Sequence, residues 1–178
     1  MAANYGDALE RARRVRLMIF DVDGVMTDGR LWYGPEGETL KVFHSLDGHG
    51  VKMLAASGVP SAILSGRNST AVERRAAELG IGHVMQGVDD KRAAYDGLLA
   101  RLGLEAAVTG YVGDDVVDLP VLLRCGFACA PREAPLAVRE RVHYVCEAPA
   151  GGGAVRELCE LLLRAQGTLD AALAKYLA

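Results

Sequence analysis

Four apolar residues, Leu17-Met18-Ile19-Phe20, run straight into Asp21-Val22-Asp23-Gly24, and Val25-Met26-Thr27-Asp28-Gly29 then turns the chain away. A short continuous apolar run bounded by turn residues fits a strand buried on both faces. Lone buried carboxylates are costly, so Asp21 and Asp23 are expected at the strand's carboxyl end, not inside the sheet. Comparable runs recur at 59–64 (ending in Ser65-Gly66), 83–85, 107–112 (broken by Gly113-Asp114-Asp115), 126–130 and 143–146. Between them the apolar spacing becomes helical. Val51, Leu54 and Ala55 share a face before Gly58, and Val72, Ala76 and Leu79 share one before Gly80, with Asn68-Ser69-Thr70 as the cap. Ala94, Leu98 and Leu102 follow Lys91 and stop at Gly103. Shorter helices are expected over 117–123, where Pro120 is tolerable in a first turn, and from about Ala134. An amphipathic helix over 155–163 follows Gly151-Gly152-Gly153, and 168–177 is helical again.

Strands alternating with helices predict an α/β fold, a doubly wound, Rossmann-like parallel sheet with helices on both faces. Residues 30–44 interrupt the alternation. Arg30-Leu31-Trp32-Tyr33, the turn Gly34-Pro35-Glu36-Gly37-Glu38 and Thr39-Leu40-Lys41-Val42-Phe43-His44 read as a β-hairpin projecting near the first strand. Trp32, Tyr33 and Phe43 are expected to be exposed on it, which is awkward for a monomer. With no repeat or low-complexity tract, one domain is expected over 1–178, with a C-terminal tail at about 167–178.

Composition changes this picture little. A chain of 178 residues that is 51% hydrophobic can bury one good core. A net charge of −3 gives no basic footprint, so nucleic acid is not an expected partner. No apolar run approaches the roughly 18 residues of a membrane span. Residues 1–7 lack the charged-then-apolar order of a secretory signal, and 10–14 mix acids and bases like an exposed helix, so a cytoplasmic location is expected. Cys125, Cys129, Cys146 and Cys159 form no C-x-x-C pair and lie among apolar residues, which fits buried free thiols. A zinc site or disulfide framework is not expected in a domain with this much core.

Candidate chemistry lies after four separate strands: Asp21/Asp23, Ser65-Gly66, Lys91 and Asp114-Asp115. In a parallel sheet these loops emerge on one side, at the edge where such folds bind ligands. The set suits phosphoryl transfer. Carboxylates from separate loops can hold Mg²⁺, which shares a substrate phosphate. Asp21 is a candidate nucleophile forming an aspartyl-phosphate. Asp23 could protonate the leaving oxygen and then activate water. Ser65 and adjacent backbone N–H groups could bind the transferring oxygens, while Lys91 neutralises their charge and restrains Asp21. Each member has an ordinary alternative: a turn for D-x-D and Ser65-Gly66, a solvated first-turn residue for Lys91, a helix cap for Asp114-Asp115. Their joint order carries the reading.

Asp21-Val22-Asp23-Gly24-Val25-Met26-Thr27, Ser65, Lys91 and Gly113-Asp114-Asp115-Val116-Val117-Asp118 resemble the four motifs of the haloacid dehalogenase superfamily, in its phosphatase branch, over nearly the whole chain. The resemblance implies a Mg²⁺-dependent phosphoric monoester hydrolase. Asp21 would be nucleophile and metal ligand, and Asp23 the acid/base with its backbone carbonyl on the metal. Ser65 and Lys91 would lie on the phosphate, and Asp114 would be the third protein ligand. Asp115 and Asp118 would support the metal or its waters less directly. The dehalogenase branch lacks the carboxylate at position 23. Superfamily members usually insert a cap domain after the first motif or between the second and third, yet neither gap here holds one. A neighbouring subunit, met through the hairpin, is the expected substitute for shielding the site.

That capless plan, with Phe43-His44-Ser45-Leu46-Asp47-Gly48-His49-Gly50, Leu64-Ser65-Gly66-Arg67, Gln86-Gly87 and the C-terminal run from Gly153 to Gly167, resembles the 3-deoxy-D-manno-octulosonate 8-phosphate (KDO 8-phosphate) phosphatases. The resemblance implies release of phosphate from a sugar acid destined for lipopolysaccharide, and a homotetramer whose hairpins and tails close neighbouring sites. Arg67, beside Asp23 and Gly66, is then a candidate contact for substrate phosphate or carboxylate, or else a surface arginine at a helix start. Two positions depart from the family pattern: Leu46 and Gly152 stand where arginine is common, and either loss would remove a contact to an anionic substrate. His44 and His49 read as polar lining or surface, and His83 and His143 as structural. Alternatives are a phosphatase for a nine-carbon, sialic-acid-type 9-phosphate, a non-catalytic homologue serving assembly or regulation, and, fitting least, a phospho-accepting receiver domain.

Overall fold

The computed structural model describes residues 5–177. Met1 to Asn4 of the leading segment and Ala178 of the tail lie outside the described residues. Helix α1 (Tyr5–Arg13) leads into β1 (Leu17–Phe20), and a hairpin of β2 (Trp32–Gly34) and β3 (Gly37–Leu40) follows. The chain then alternates: α2 (Ser45–Ala56), β4 (Ser61–Leu64), α3 (Thr70–Leu79), β5 (His83–Met85), α4 (Lys91–Leu102), β6 (Thr109–Val112), α5 (Leu119–Leu122), β7 (Phe127–Ala130), α6 (Leu136–Arg139) and β8 (Tyr144–Val145). Helices α7 (Ala154–Ala165) and α8 (Leu169–Leu177) end the described chain.

Six strands form one parallel sheet in the order β5-β4-β1-β6-β7-β8, with β1 and β6 at its centre. All four residues of β1, β4, β6 and β7 are buried. Successive side chains of a strand face opposite ways, so each of these strands feeds two cores. Met18, Phe20, Ile63, Val112, Phe127 and Cys129 pack with α1, α2, α3 and α7 on one face. Leu17, Ile19, Leu64, Tyr111, Ala128 and Ala130 pack with α4 and α5 on the other. The continuous apolar runs of the sequence are thus the doubly covered strands expected of this fold class. Helices α3 and α4 close at Gly80 and Gly103. All four cysteines are buried and free. Among the described residues, no helix is long and apolar enough to cross a membrane.

Three local expectations need correction. The hairpin is tighter than the sequence suggested, since β3 begins at Gly37 and pairing ends at Leu40. Residues 41–44 leave the ladder because the Lys41 ammonium turns inward to Asp23 and Glu38. Trp32 and Tyr33 are exposed, but Phe43 is half-buried: it packs on the core beside α2, under the guanidinium of Arg75. Ser69 occupies the N-cap of α3 without making a side-chain cap bond; its own N–H donates to Oε1 of Gln86 at 2.9 Å.

Candidate active site

The loops that follow β1, β4 and β6, together with the start of α4, converge at the carboxyl edge of the sheet. They line a cleft of about 300 Å³ that includes Asp21, Asp23, Ser65, Arg67, Lys91 and Asp114. Gly66 and Asp115 also border it, so eight residues singled out from the sequence share one cavity. Asp118 lies beneath, fully buried. A larger cleft of about 550 Å³ opens at the opposite, amino-terminal strand edge near Leu17, Pro60 and His83, and holds none of these carboxylates.

Asp21 is buried and continues β1 by one residue, its N–H donating to the Val112 carbonyl at 3.0 Å. Gly24 brings the next turn close: its φ is +81°, and an added Cβ would lie 2.1 Å from Oδ2 of Asp114. Only glycine meets both conditions without strain. Asp90 caps α4 by accepting the N–H of Ala93 at 3.0 Å, which fixes where Lys91 stands. Lys91 is only 7% exposed, and its ammonium lies 3.0 Å from Asp21 and 2.7 Å from Asp118. The solvated first-turn alternative for Lys91 is therefore excluded.

Asp118 organises the floor. Its Oδ1 accepts from Lys91 Nζ and, at 2.5 Å, from the Tyr111 hydroxyl. Its Oδ2 accepts the backbone N–H groups of Asp114 at 3.0 Å and Asp115 at 3.2 Å. Asp115 behaves as the helix cap that the sequence allowed, accepting the N–H of Val116 at 2.7 Å in a reciprocal arrangement with Asp118. Asp114 does not. Among the described residues nothing donates to its carboxylate or pairs with it.

Electrostatics follow from this packing. Burial and the neighbouring Asp118 charge raise the Asp21 carboxyl to about 6, against the pull of Lys91. Burial and the repulsion of Asp21, Asp118 and Asp115 raise Asp114 to about 7. Burial alone would lower Lys91, but the Asp21 and Asp118 charges outweigh it and leave the ammonium raised. Oxygens of Asp21, Asp114 and Asp118 come within 4.8 Å of one another. Carboxylates crowded like this, one without a donor, fit a hard divalent cation. Because four donors already occupy Asp118, Asp21 and Asp114 are the members with acceptors to spare.

The other side of the cleft is more open. Ser65 is buried at the end of β4, its hydroxyl accepting the Arg67 N–H at 3.3 Å and so leaving its own proton for a ligand. Asp23 is half-buried and hydrogen-bonded by Lys41, and Arg67 Nε stands 3.9 Å from its other oxygen. Arg67 also donates to the Tyr33 hydroxyl at 3.3 Å, so the hairpin reaches the cleft. Sequence reading missed Lys41, Glu38, Tyr33 and Tyr111. One signal was available for Lys41, a lysine set between Leu40 and Val42: both apolar neighbours face solvent while the charge is buried. Asp47 is inside the first turn of α2. Its buried carboxylate accepts the N–H groups of Arg156 at 2.8 Å and Gly153 at 3.4 Å, which caps α7.

No family model matches the chain. Individual proteins do. A curated protein named 3-deoxy-D-manno-octulosonate 8-phosphate phosphatase KdsC from Yersinia pestis is 43% identical over 93% of this chain and 89% of its own length. A crystal structure described as a probable YrbI family phosphatase from Pseudomonas syringae is similar at a TM-score of 0.95 and 50% identity, over 97% of this chain and 98% of that one. The 3-deoxy-D-manno-octulosonate 8-phosphate phosphatase of Moraxella catarrhalis, solved with magnesium ion, phosphate ion and KDO, is similar at a TM-score of 0.94 and 40% identity, over 97% and 99%.

Proposed function

The chain belongs to the KDO 8-phosphate phosphatase family of the haloacid dehalogenase superfamily, and from this we propose that it is a Mg²⁺-dependent phosphatase converting KDO 8-phosphate to KDO and phosphate. The observation that supports this most is the placing of Lys91 against Asp21, with the unpartnered Asp114 in the same cleft as Asp23 and Ser65. In this reading, an Asp21 oxygen attacks phosphorus as the bond to the sugar oxygen breaks. That oxygen leaves with the electron pair and takes a proton from Asp23. Water then gives a proton to Asp23 and attacks the same phosphorus, the Asp21–phosphorus bond breaks, and phosphate departs. Ser65, the N–H groups after it and Lys91 hold the phosphoryl oxygens, and Lys91 and the β6 ladder keep Asp21 in line. Asp21, Asp114 and the Asp23 carbonyl would hold Mg²⁺, with Asp115 and Asp118 supporting them from behind, and the ion would supply positive charge to the phosphate and favour the ionised form of Asp21 and Asp114.

Arg67, with Gly66 and Asp23, is the proposed contact for the substrate's charged groups. Leu46 is exposed, and at Gly152 an added Cβ would lie 2.9 Å from Cγ of Pro149. Selectivity is thus proposed to rest on Arg67 and on a neighbouring subunit. Leu31, Trp32, Tyr33, Leu40 and Val42 form an exposed apolar face on and beside the hairpin, and Val116 and Val117 are exposed across the cleft. Such faces support a homotetramer in which hairpins cover neighbouring clefts. Here α8 packs on its own chain, with the Tyr176 hydroxyl 3.1 Å from Nε2 of His49, so closing a neighbour's site would require the tail to leave that position. The proposed setting is cytoplasmic lipopolysaccharide precursor synthesis, within a single domain.

Phosphate release from a panel of eight- and nine-carbon sugar-acid phosphates, with Mg²⁺ and with chelator, tests the reading. Preference for the eight-carbon acid, abolished by chelator, is expected. Preference for the nine-carbon acid would move the substrate assignment. No turnover of any would favour a non-catalytic homologue, against which the retained Asp21, Asp23, Lys91 and Asp114 count.

A further inference from the structure

We propose that Lys41 is a positioning residue for Asp23, and that the proton-transfer carboxylate is held ready only while the hairpin is seated on the cleft. The inference rests on the phosphatase reading above, because it concerns the proton that Asp23 gives and recovers.

Among the described residues, the Lys41 ammonium is the only group hydrogen-bonded to the Asp23 carboxylate. Asp23 lies within the turn Val22–Met26 that follows β1, and among the described residues no backbone N–H donates to its oxygens. The Lys41 side chain is 2% exposed, closed in by Asp23 and by Glu38, which lies 2.8 Å away on β3. Since Glu38 shares the charge, Lys41 serves as an anchor between strand and loop rather than as a counter-ion for Asp23 alone. Arg67 cannot replace it. Its side chain is about half exposed, its nearest approach to Asp23 is 3.9 Å, and it also engages Tyr33. It is free to turn toward a substrate, whereas Lys41 is enclosed. Leu40 and Val42 on either side of it face outward, so Lys41 alone of the three turns in to the cleft.

A general acid must meet the leaving oxygen within hydrogen-bond reach, and small misplacements of such groups cost on the order of 10²-fold. The experiment compares the first, phosphate-transfer step in single-turnover quench for an alkyl ester, the sugar-acid 8-phosphate, and for 4-nitrophenyl phosphate, whose leaving group needs no proton. Lys41→Met is expected to slow transfer from the alkyl ester by roughly 10- to 100-fold and to leave 4-nitrophenyl phosphate within about threefold. Lys41→Arg should recover most of the loss. In an Asp23→Asn background, Lys41→Met should cost nothing further. Should Lys41→Met fail to fold, Lys41→Gln removes the charge while keeping a donor, and the same pattern is expected. Equal losses on both esters, or an undiminished loss in the Asp23→Asn background, would overturn the proposal. If Asp23→Asn itself did not distinguish the two esters, the acid/base reading of Asp23 would fail instead, and the two failures are separable.

Discussion

The two aspartates that begin the site lie two residues apart yet belong to different parts of the molecule. Asp21 is tied to the sheet: β6 holds its backbone, Lys91 holds its carboxylate, and Asp118 and Tyr111 hold Lys91 and the loop beside it. Asp23 is tied to the hairpin, through Lys41 and Glu38, with Arg67 and Tyr33 at the exposed rim. One side is buried and crowded with negative charge. The other is half-open and depends on a two-stranded element that shows a large apolar face to solvent. Attack is thus assigned to the rigid half and proton transfer to the hairpin half, so the two should fail in different ways.

The largest effect is expected at the nucleophile. Asp21→Asn should lower turnover by roughly 10⁴-fold or more, because an amide cannot form the acyl phosphate. Phosphate release measures it, and near-native activity would end the covalent reading. Next comes the join between the first and last motifs. Gly24→Ala drives a methyl group into Asp114 at a left-handed position and should cost about 2 kcal/mol of stability. It should also raise the Mg²⁺ requirement about tenfold or more, as poor placement of one ligand would. Denaturant unfolding and a Mg²⁺ titration of activity check the pair. If stability fell with no change in Mg²⁺ requirement, the rigid half would not be the cation-binding half.

A moderate effect is expected from pH. The folded carboxyl groups of Asp21, at about 6, and Asp114, at about 7, lie above the ordinary carboxylate value. The folded state then holds protons that the unfolded chain has released, so this contribution to stability is fully present below about pH 4 and is lost progressively as pH rises to about 6 to 7. In chelator, this cluster should lower the melting temperature progressively between about pH 4 and 7, and Mg²⁺ should raise it more at the upper end. Asp114→Asn should flatten both trends; a response equal to the native protein's would remove Asp114 from the cluster. The smallest effect is expected at the open rim. Tyr33→Phe deletes one exposed hydrogen bond to Arg67, worth about 1 kcal/mol or less. Its expected consequence is a threefold or smaller rise in KM with kcat unchanged. A large fall in kcat would mean that the rim is as tightly coupled as the floor.

The rigid half was legible in the sequence almost residue by residue; of the other half the hairpin, Asp23 and Arg67 were legible, but not the Lys41 contact that joins them, for a physical reason. Apolar runs that end in Asp21, Ser65 or Gly113-Asp114 carry both the strand and its edge in one local pattern. Lys91 could be placed because a helix start follows a strand end. Lys41 offered no such pattern. It sits in a run that alternates with the wrong polarity for a solvent-facing hairpin, and its partner Asp23 is joined to it only by the fold. Phe43 read as exposed for the same reason: its neighbour Arg75 comes from α3, well along the chain. Likewise nothing local to Asp47 announced its role, because the N–H groups it accepts come from α7.

Asp118 has a consequence for the order in which the protein is made. Its four donors come from α4, β6 and the loop just before it, and Lys91 reaches Asp21 from the same floor. On the ribosome the nucleophile is synthesised early, while β1 still lacks β4 on one flank and β6 on the other. The acidic trio and its lysine come together only after the chain has passed Asp118. A nascent or truncated chain that stops short of that point therefore carries Asp21 as an ordinary aspartate. Competence to form an acyl phosphate is in this way deferred until most of the sheet exists to contain it.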